Sequence, residues 1–223
     1  DQLLVFMVTH GPEALFKISE NVKVVWLSTE PPPSTLKNEV IYAKNFFPDS
    51  AERHRRLSGG LGCQVIYKYI ETLTRRPKKI TICAYRKFVH HTAFGEPAFH
   101  FKKIPVSNYY GMRILTPDGD GAAGVFNGVD GGDFCISPMR RFNNIVTQFA
   151  GAHSVEDLML FLSACIKSQA LTGHDVAEFL TMSEFIPGGL ELGTFPYAFW
   201  QESMDWMMDV LSFLLGKFVA SVN

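Results

Sequence analysis

Lys79-Ile-Thr-Ile-Cys-Ala-Tyr-Arg-Lys-Phe-Val89 is a short apolar run that breaks abruptly into a phenol and two cations. Ile80 to Cys83, rich in β-branched side chains, reads as a strand buried on both faces of a sheet. In α/β folds ligands sit in the crevice at the carboxyl ends of such strands. Tyr85, Arg86 and Lys87 then point into that crevice, and their charge suits an anion such as a pyrophosphate. Arg matches phosphate oxygens two at a time, and Lys adds a compact charge. The plain alternative is a strand whose basic flank is simply solvated.

Upstream of this strand, apolar runs alternate with helical patterns. Leu3 to Val8 and Val22 to Leu27 read as strands, Gly11-Pro12-Glu13 opens a helix, and Pro31-Pro32-Pro33 is a stiff exposed loop before a short strand at Glu39 to Ala43. A single helix is expected from Ser50 to Leu73. The resulting β-α-β-β-α-β order implies a mostly parallel, Rossmann-related sheet flanked by helices. Within the long helix, Gly59, Gly60 and Gly62 point either to a close backbone approach to another element or a ligand or to a frayed first turn, because each helical Gly costs roughly 1 kcal/mol relative to Ala. Arg53-His54-Arg55-Arg56 reads first as a solvated face.

The second half is less regular. Aromatic and basic residues alternate loosely from Phe94 to Val106, Tyr109-Tyr110 precede an apolar run at Met112 to Leu115, and a glycine-rich loop follows from Thr116 to Asp133. Loops of that length inside a domain are functional or mobile. Asp118 and Asp120 within it could place two carboxylates on a hard cation such as manganese or magnesium, although acidic residues beside Gly are also ordinary turn formers. Phe134 to Ser137 reads as a strand and Asn143 to Phe149 as a helix. Ser154-Val-Glu-Asp157 has the pattern of a capping box before the helix Leu158 to Ile166, and Gln201 to Val219 reads as a core-docking helix. That last helix is too interrupted by charge to span a bilayer.

Composition excludes several classes. The chain has 223 residues, 47% of them hydrophobic, enough for one sizeable core. With a net charge of -1 it has no global basic field to draw nucleic acid or an anionic membrane. Cys63, Cys83, Cys135 and Cys165 are widely spaced in apolar contexts, as reduced core thiols in a cytoplasmic protein are. The opening residues lack the basic region of a signal peptide, and the missing initiator Met reads as a trimmed chain or a domain cut from a longer protein.

Taken in order along the chain, these segments resemble the bacterial capsular and exopolysaccharide glycosyltransferases that carry a Cys-His-Tyr-Arg-Arg-Tyr-Phe strand end. Cys83-Ala-Tyr-Arg-Lys-Phe88 stands in its place, Thr9-His10-Gly11 matches the family's opening Thr-His-Lys, and Asp133 to Pro138 matches an Asp-hydrophobic-hydrophobic-x-Pro segment. Gln148-Phe149, His153 and Asp157-Leu158 match its following signature, and Trp206 with Asp209 match its last helix. The chain departs from the family at Ala84 (His expected), at Gly59 and Leu61 (Glu and Thr expected), and at Gly188 to Phe195, which lacks Asn-Met-Phe-Ile.

The resemblance implies a GT-A-like domain over 1–223, with a nucleotide-binding half to about 115 and an irregular acceptor half beyond. It implies a hexosyltransferase moving a sugar from a nucleotide-sugar to a glycan or lipid-linked saccharide hydroxyl in capsule, exopolysaccharide or O-antigen synthesis. Thr9 and His10 would flank the nucleotide, Tyr85, Arg86 and Lys87 would stabilise the pyrophosphate without a metal, and Asp118 and Asp120 are the fallback ligands if manganese or magnesium is needed. Asp133 is expected as proton acceptor, His153 as the second choice, and Asp157 as a cap or as support for His153. A cytoplasmic site at the inner face of the membrane, with peripheral membrane contact, fits a lipid-linked acceptor. Two other classes stand beside this one: an inactive nucleotide- or glycan-binding module, and an interaction domain whose partner surface is Trp200, Trp206 and Met204 to Met208.

Overall fold

The computed structural model of the chain describes residues 3–11, 20–34, 36–85, 87, 89, 96–97, 113–114, 134–151 and 153–220. Arg86, Asp118, Asp120, Asp133, the helix expected from Gly11-Pro12-Glu13, Tyr109-Tyr110 and most of the stretch from Phe94 to Val106 lie outside the described residues. In chain order the elements are β1 (Leu3–Thr9), β2 (Val22–Trp26), β3 (Val40–Tyr42), α1 (Ala43–Phe46), α2 (Ser50–Leu57), α3 (Gly60–Glu71), β4 (Lys79–Ala84) and the paired β5 (Glu96–Pro97) and β6 (Arg113–Ile114). There follow β7 (Arg140–Arg141), α4 (Ile145–Ala150), α5 (Val155–Lys167), α6 (Gly173–Thr181), β8 (Glu184–Phe185), a 3-10 turn at Gly189–Glu191, β9 (Gly193–Pro196) and α7 (Tyr197–Ala220). They form two compact units: Asp1–Ser137 with Gly188–Trp200, and Pro138–Pro187 with Gln201–Asn223.

The first unit is a five-stranded sheet in the order β3-β2-β1-β4-β9. β1, β2, β3 and β4 run parallel, as their near-continuous apolar runs require of strands covered on both faces. Phe6, Val24, Val25, Ile80, Ile82 and Cys83 are all but sealed from solvent. β9, which has no counterpart in the sequence reading, closes the edge antiparallel to β4, and Thr81 and Thr194 share a buried hydroxyl hydrogen bond of 2.8 Å there. The strand expected at Phe134 to Ser137 is reduced to one bridge, Cys135 with Thr194. Its backbone bonds of 3.0 and 2.8 Å join the outer side of β9.

The helix expected from Ser50 to Leu73 is two helices. Ser58 adopts φ 48, a left-handed conformation that no α-helix continues through, and the chain restarts at Gly60. The close approach foreseen for the glycines is real at Gly62: a Cβ there would lie 2.6 and 2.9 Å from the two γ-carbons of Val8. α3 therefore sits directly over the carboxyl end of β1.

The second unit is mainly helical. Asn144 caps α4 by accepting from the Thr147 N–H at 2.8 Å. At α5 the expected capping box does not form: Ser154 occupies the cap, but its hydroxyl donates to the Glu156 carboxylate. A capping box does form at α6, where Thr172 Oγ1 accepts from the Asp175 N–H at 3.2 Å and Asp175 Oδ2 accepts from the Thr172 N–H at 2.7 Å. Leu158, Leu162 and Val176 are buried with Phe149, Phe161 and Phe179 packed around them, and Ala164, Cys165 and Val210 form a second cluster.

The last helix begins at Tyr197, four residues before the expected start, and runs from the first unit into the second. Trp200 and Met204 are fully buried and so cannot belong to the partner surface expected for this helix, whereas Trp206 is exposed. Trp206 keeps its indole N–H on the Ala170 carbonyl at 3.1 Å. Among the described residues no helix is long and apolar enough to cross a membrane.

Two substitutions test this packing. Ser58→Gly relieves the left-handed backbone and is expected to stabilise the fold by about 1 kcal/mol. Gly62→Ala drives a methyl into Val8 and is expected to cost about 1–3 kcal/mol. Urea unfolding midpoints measure both.

Candidate functional site

β2 and β3 lie on one side of β1, and β4 on the other. The winding of the sheet thus reverses between β1 and β4, and in open α/β sheets the crevice outside such a reversal is where ligands bind. His10 leaves the end of β1 and Tyr85 the end of β4. Their rings meet edge to face at 4.9 Å between centroids. His54, on α2, stands 5.8 Å from His10.

The backbone holds this arrangement locally. Thr9 is buried, and its hydroxyl donates to the Gly11 carbonyl at 2.8 Å and accepts the Gly11 N–H at 3.2 Å, a turn that presents His10 to solvent. The Tyr85 N–H donates to the Val8 carbonyl at 3.0 Å, extending the β1–β4 pairing by one step. Ala84 and Lys87 exchange backbone hydrogen bonds of 2.8 and 3.1 Å, so the chain folds back at once and leaves the Lys87 side chain exposed at the strand end.

The neighbouring basic cluster divides by function. Arg53 is tied to Asp49 at 2.8 Å and lies over the Phe47 ring at 4.6 Å, while Arg55 and Arg56 pair with Glu52 at 2.6 and 2.7 Å. These three form the salt-bridged face that the sequence implies. His54 differs, since burial and the nearby His10 hold its imidazole below the usual histidine range.

A carboxylate reaches the same edge from a distant segment. The turn Gly189–Glu191 opens with Gly188 at φ 89 and Gly189 at φ 48 and is followed by Gly193 at φ 147, backbone conformations that favour glycine. The Leu190 carbonyl accepts from the Trp200 indole at 3.3 Å and from the Cys63 thiol at 3.8 Å. So anchored, Glu191 sets its carboxylate against the first residues of α3: a Cβ at Gly59 would lie 3.0 Å from its carboxyl carbon. Burial raises the Glu191 pKa and the charge of Lys87 opposes the rise. The Glu191 carboxylate is lined by Gly59 on one side and open to solvent on the other.

Cys63 and Cys83 are buried beneath this edge. Burial pushes the Cys83 thiol up to about 12 and the Cys63 thiol higher still, so both are inert.

Of the residues singled out from sequence, Thr9, His10, Tyr85 and Lys87 gather at the reversal point of the first unit. His153 and Asp157 belong to the second. His153 is exposed with its ring 4.9 Å from that of Phe149, and Asp157 is exposed in the first turn of α5, its N–H on the Ser154 carbonyl at 3.2 Å. Among the described residues no group of three or more His, Cys, Asp or Glu could hold a metal ion. His54 and Glu191 were missed. His54 was hidden among arginines, whereas Glu191 had a legible signal in the glycines that bracket it.

No protein-family model matches the sequence, and no curated protein does. Among solved structures the fold is similar to the apo structure of WbbM, a bifunctional glycosyltransferase, with a TM-score of 0.54 and 9% sequence identity. The match covers 95% of this chain and 37% of that one, so the chain spans little more than a third of that protein's length. The architecture is therefore a glycosyltransferase-like α/β fold.

The depressed His54 pKa carries a consequence for stability. The unfolded chain binds this proton more readily than the folded one, so stability contributed by neutral His54 is lost as pH falls through the ordinary value of about 6.5. The urea midpoint is expected to drop between pH 7.5 and 5.5 by less in His54→Gln than in the wild type.

Proposed function

We propose that the chain transfers a sugar from a nucleotide-sugar to a hydroxyl of a glycan or lipid-linked saccharide in the synthesis of a bacterial surface polysaccharide. The observation that carries this is the gathering of His10, His54, Tyr85 and Lys87 outside the reversal point between β1 and β4, in a fold similar to that of a glycosyltransferase.

Sugar transfer builds negative charge on the departing nucleoside diphosphate, and fixed cations at the strand end stabilise it. Lys87 and Arg86 supply that charge without a metal ion, Tyr85 donates from its phenol, and Thr9 shapes the turn that sets His10 beside the nucleotide. His54 adds to this: a diphosphate beside it favours its cationic form, so binding takes up a proton. Should transfer need a divalent ion, Asp118 and Asp120 are its ligands. Direct displacement also needs a proton acceptor near the anomeric carbon. By sequence that place falls to Asp133, then to His153 with Asp157 behind it. The enzyme works in the cytoplasm, touching the membrane peripherally where its acceptor is lipid-linked.

A thermal-shift screen against uridine, guanosine and cytidine diphosphates and their sugars, with and without manganese, tests the proposal. One nucleotide class is expected to raise the melting temperature equally in chelator and in manganese. Arg86→Ala and Lys87→Ala are each expected to weaken its binding about tenfold or more, the scale of a charge-assisted contact of 1.5–3 kcal/mol. Binding is expected to tighten from pH 8 to pH 6, and His54→Gln to flatten that trend. No shift with any nucleotide overturns the assignment, and transfer abolished by chelator and restored by manganese overturns the metal-independent step.

A further inference from the structure

Three features place Glu191 apart from an ordinary surface acid. Its turn is flanked by glycines at positive φ and pinned by the Trp200 and Cys63 contacts to the Leu190 carbonyl, so the backbone that bears the carboxylate is fixed. Its carboxyl group fills the space over Gly59 that any other residue there would occupy. It also feels the charge of Lys87, which follows the carboxyl end of β4. A carboxylate lined on one side and open on the other, with the cation that draws the leaving group nearby, has the placement of a proton acceptor for a hydroxyl that attacks from the side opposite that cation.

We infer that Glu191 accepts the proton of the acceptor hydroxyl, the role that sequence alone assigns to Asp133. This inference rests on the transferase assignment above. In the step, the hydroxyl oxygen forms its bond to the anomeric carbon as its proton passes to a Glu191 oxygen. The bond from the anomeric carbon to the diphosphate oxygen breaks with its electron pair on the oxygen, and the nucleoside diphosphate departs toward Lys87. A single displacement of this kind inverts the anomeric configuration. Burial, which makes the carboxylate a better base, is opposed by the charge of Lys87, and among the described residues the Cys63 thiol also interacts with it.

The test compares wild type, Glu191→Gln and Gly59→Ala for donor affinity, turnover and melting temperature. Glu191→Gln is expected to bind the donor diphosphate as the wild type does and to lose turnover about 10²-fold to 10⁴-fold. Its melting temperature should equal or exceed that of the wild type, because a neutral amide replaces a partly desolvated charge, whereas loss of a merely structural residue lowers it. The acid limb of the wild-type pH profile should lie above the ordinary carboxylate range and vanish in this variant. Gly59→Ala, whose helical backbone accommodates Ala, should push the carboxylate aside and lose turnover with the donor affinity kept. Turnover of Glu191→Gln within threefold of the wild type, or a product of retained configuration, overturns the role of Glu191 and leaves the transferase standing. Neither binding nor transfer in the wild type overturns both.

Discussion

The parallel pairing of β1 with β4, in register from Leu3 opposite Lys79 to Val8 opposite Ala84, is the contact on which the rest of the first unit depends. Phe6, Ile80 and Ile82 along it are sealed from water, and burial of each such side chain favours folding by roughly 1.5–3 kcal/mol. Because side chains alternate across a sheet, a slip of one residue would turn each strand's inward set outward, so burial on both sides locks the register. That register decides where the two strands end together. His10 and Tyr85 meet at 4.9 Å because their strands stop at the same level.

Close packing of α3 over this edge depends on what its first turn lacks. Without a side chain at Gly62 the helix can rest on Val8, and without one at Gly59 a carboxylate from the far end of the unit can enter. Burial acts on the two ionisable groups of the edge in opposite directions, lowering the His54 pKa and raising that of Glu191. In each case the neutral form gains.

The second unit is stabilised differently. Its helices carry their own apolar clusters around Leu162 and Cys165, and their starts are set by local side-chain bonds at Asn144 and at the Thr172–Asp175 box. Trp206 and Asp209, aligned with a family signature by sequence, sit on the last helix of this unit. Trp206 has a structural task there, the hydrogen bond to Ala170.

The sequence by itself determined the parallel core: the apolar runs of β1, β2 and β4 and the break into Tyr85 and Lys87 were legible, because each rests on local hydrophobic periodicity. It also pointed to Thr9, His10, Tyr85 and Lys87. Only the tertiary structure decided that β9 pairs with β4, that the helix breaks at Ser58, that Thr172 rather than Ser154 makes the capping box, and that His54 and Glu191 stand at the same edge. Position 191 lies more than a hundred residues from Gly59 and Lys87, and a carboxylate's neighbours across such a separation follow from how the chain packs. Periodicity reports which face of an element is buried; it carries no information about which distant loop will be packed against it.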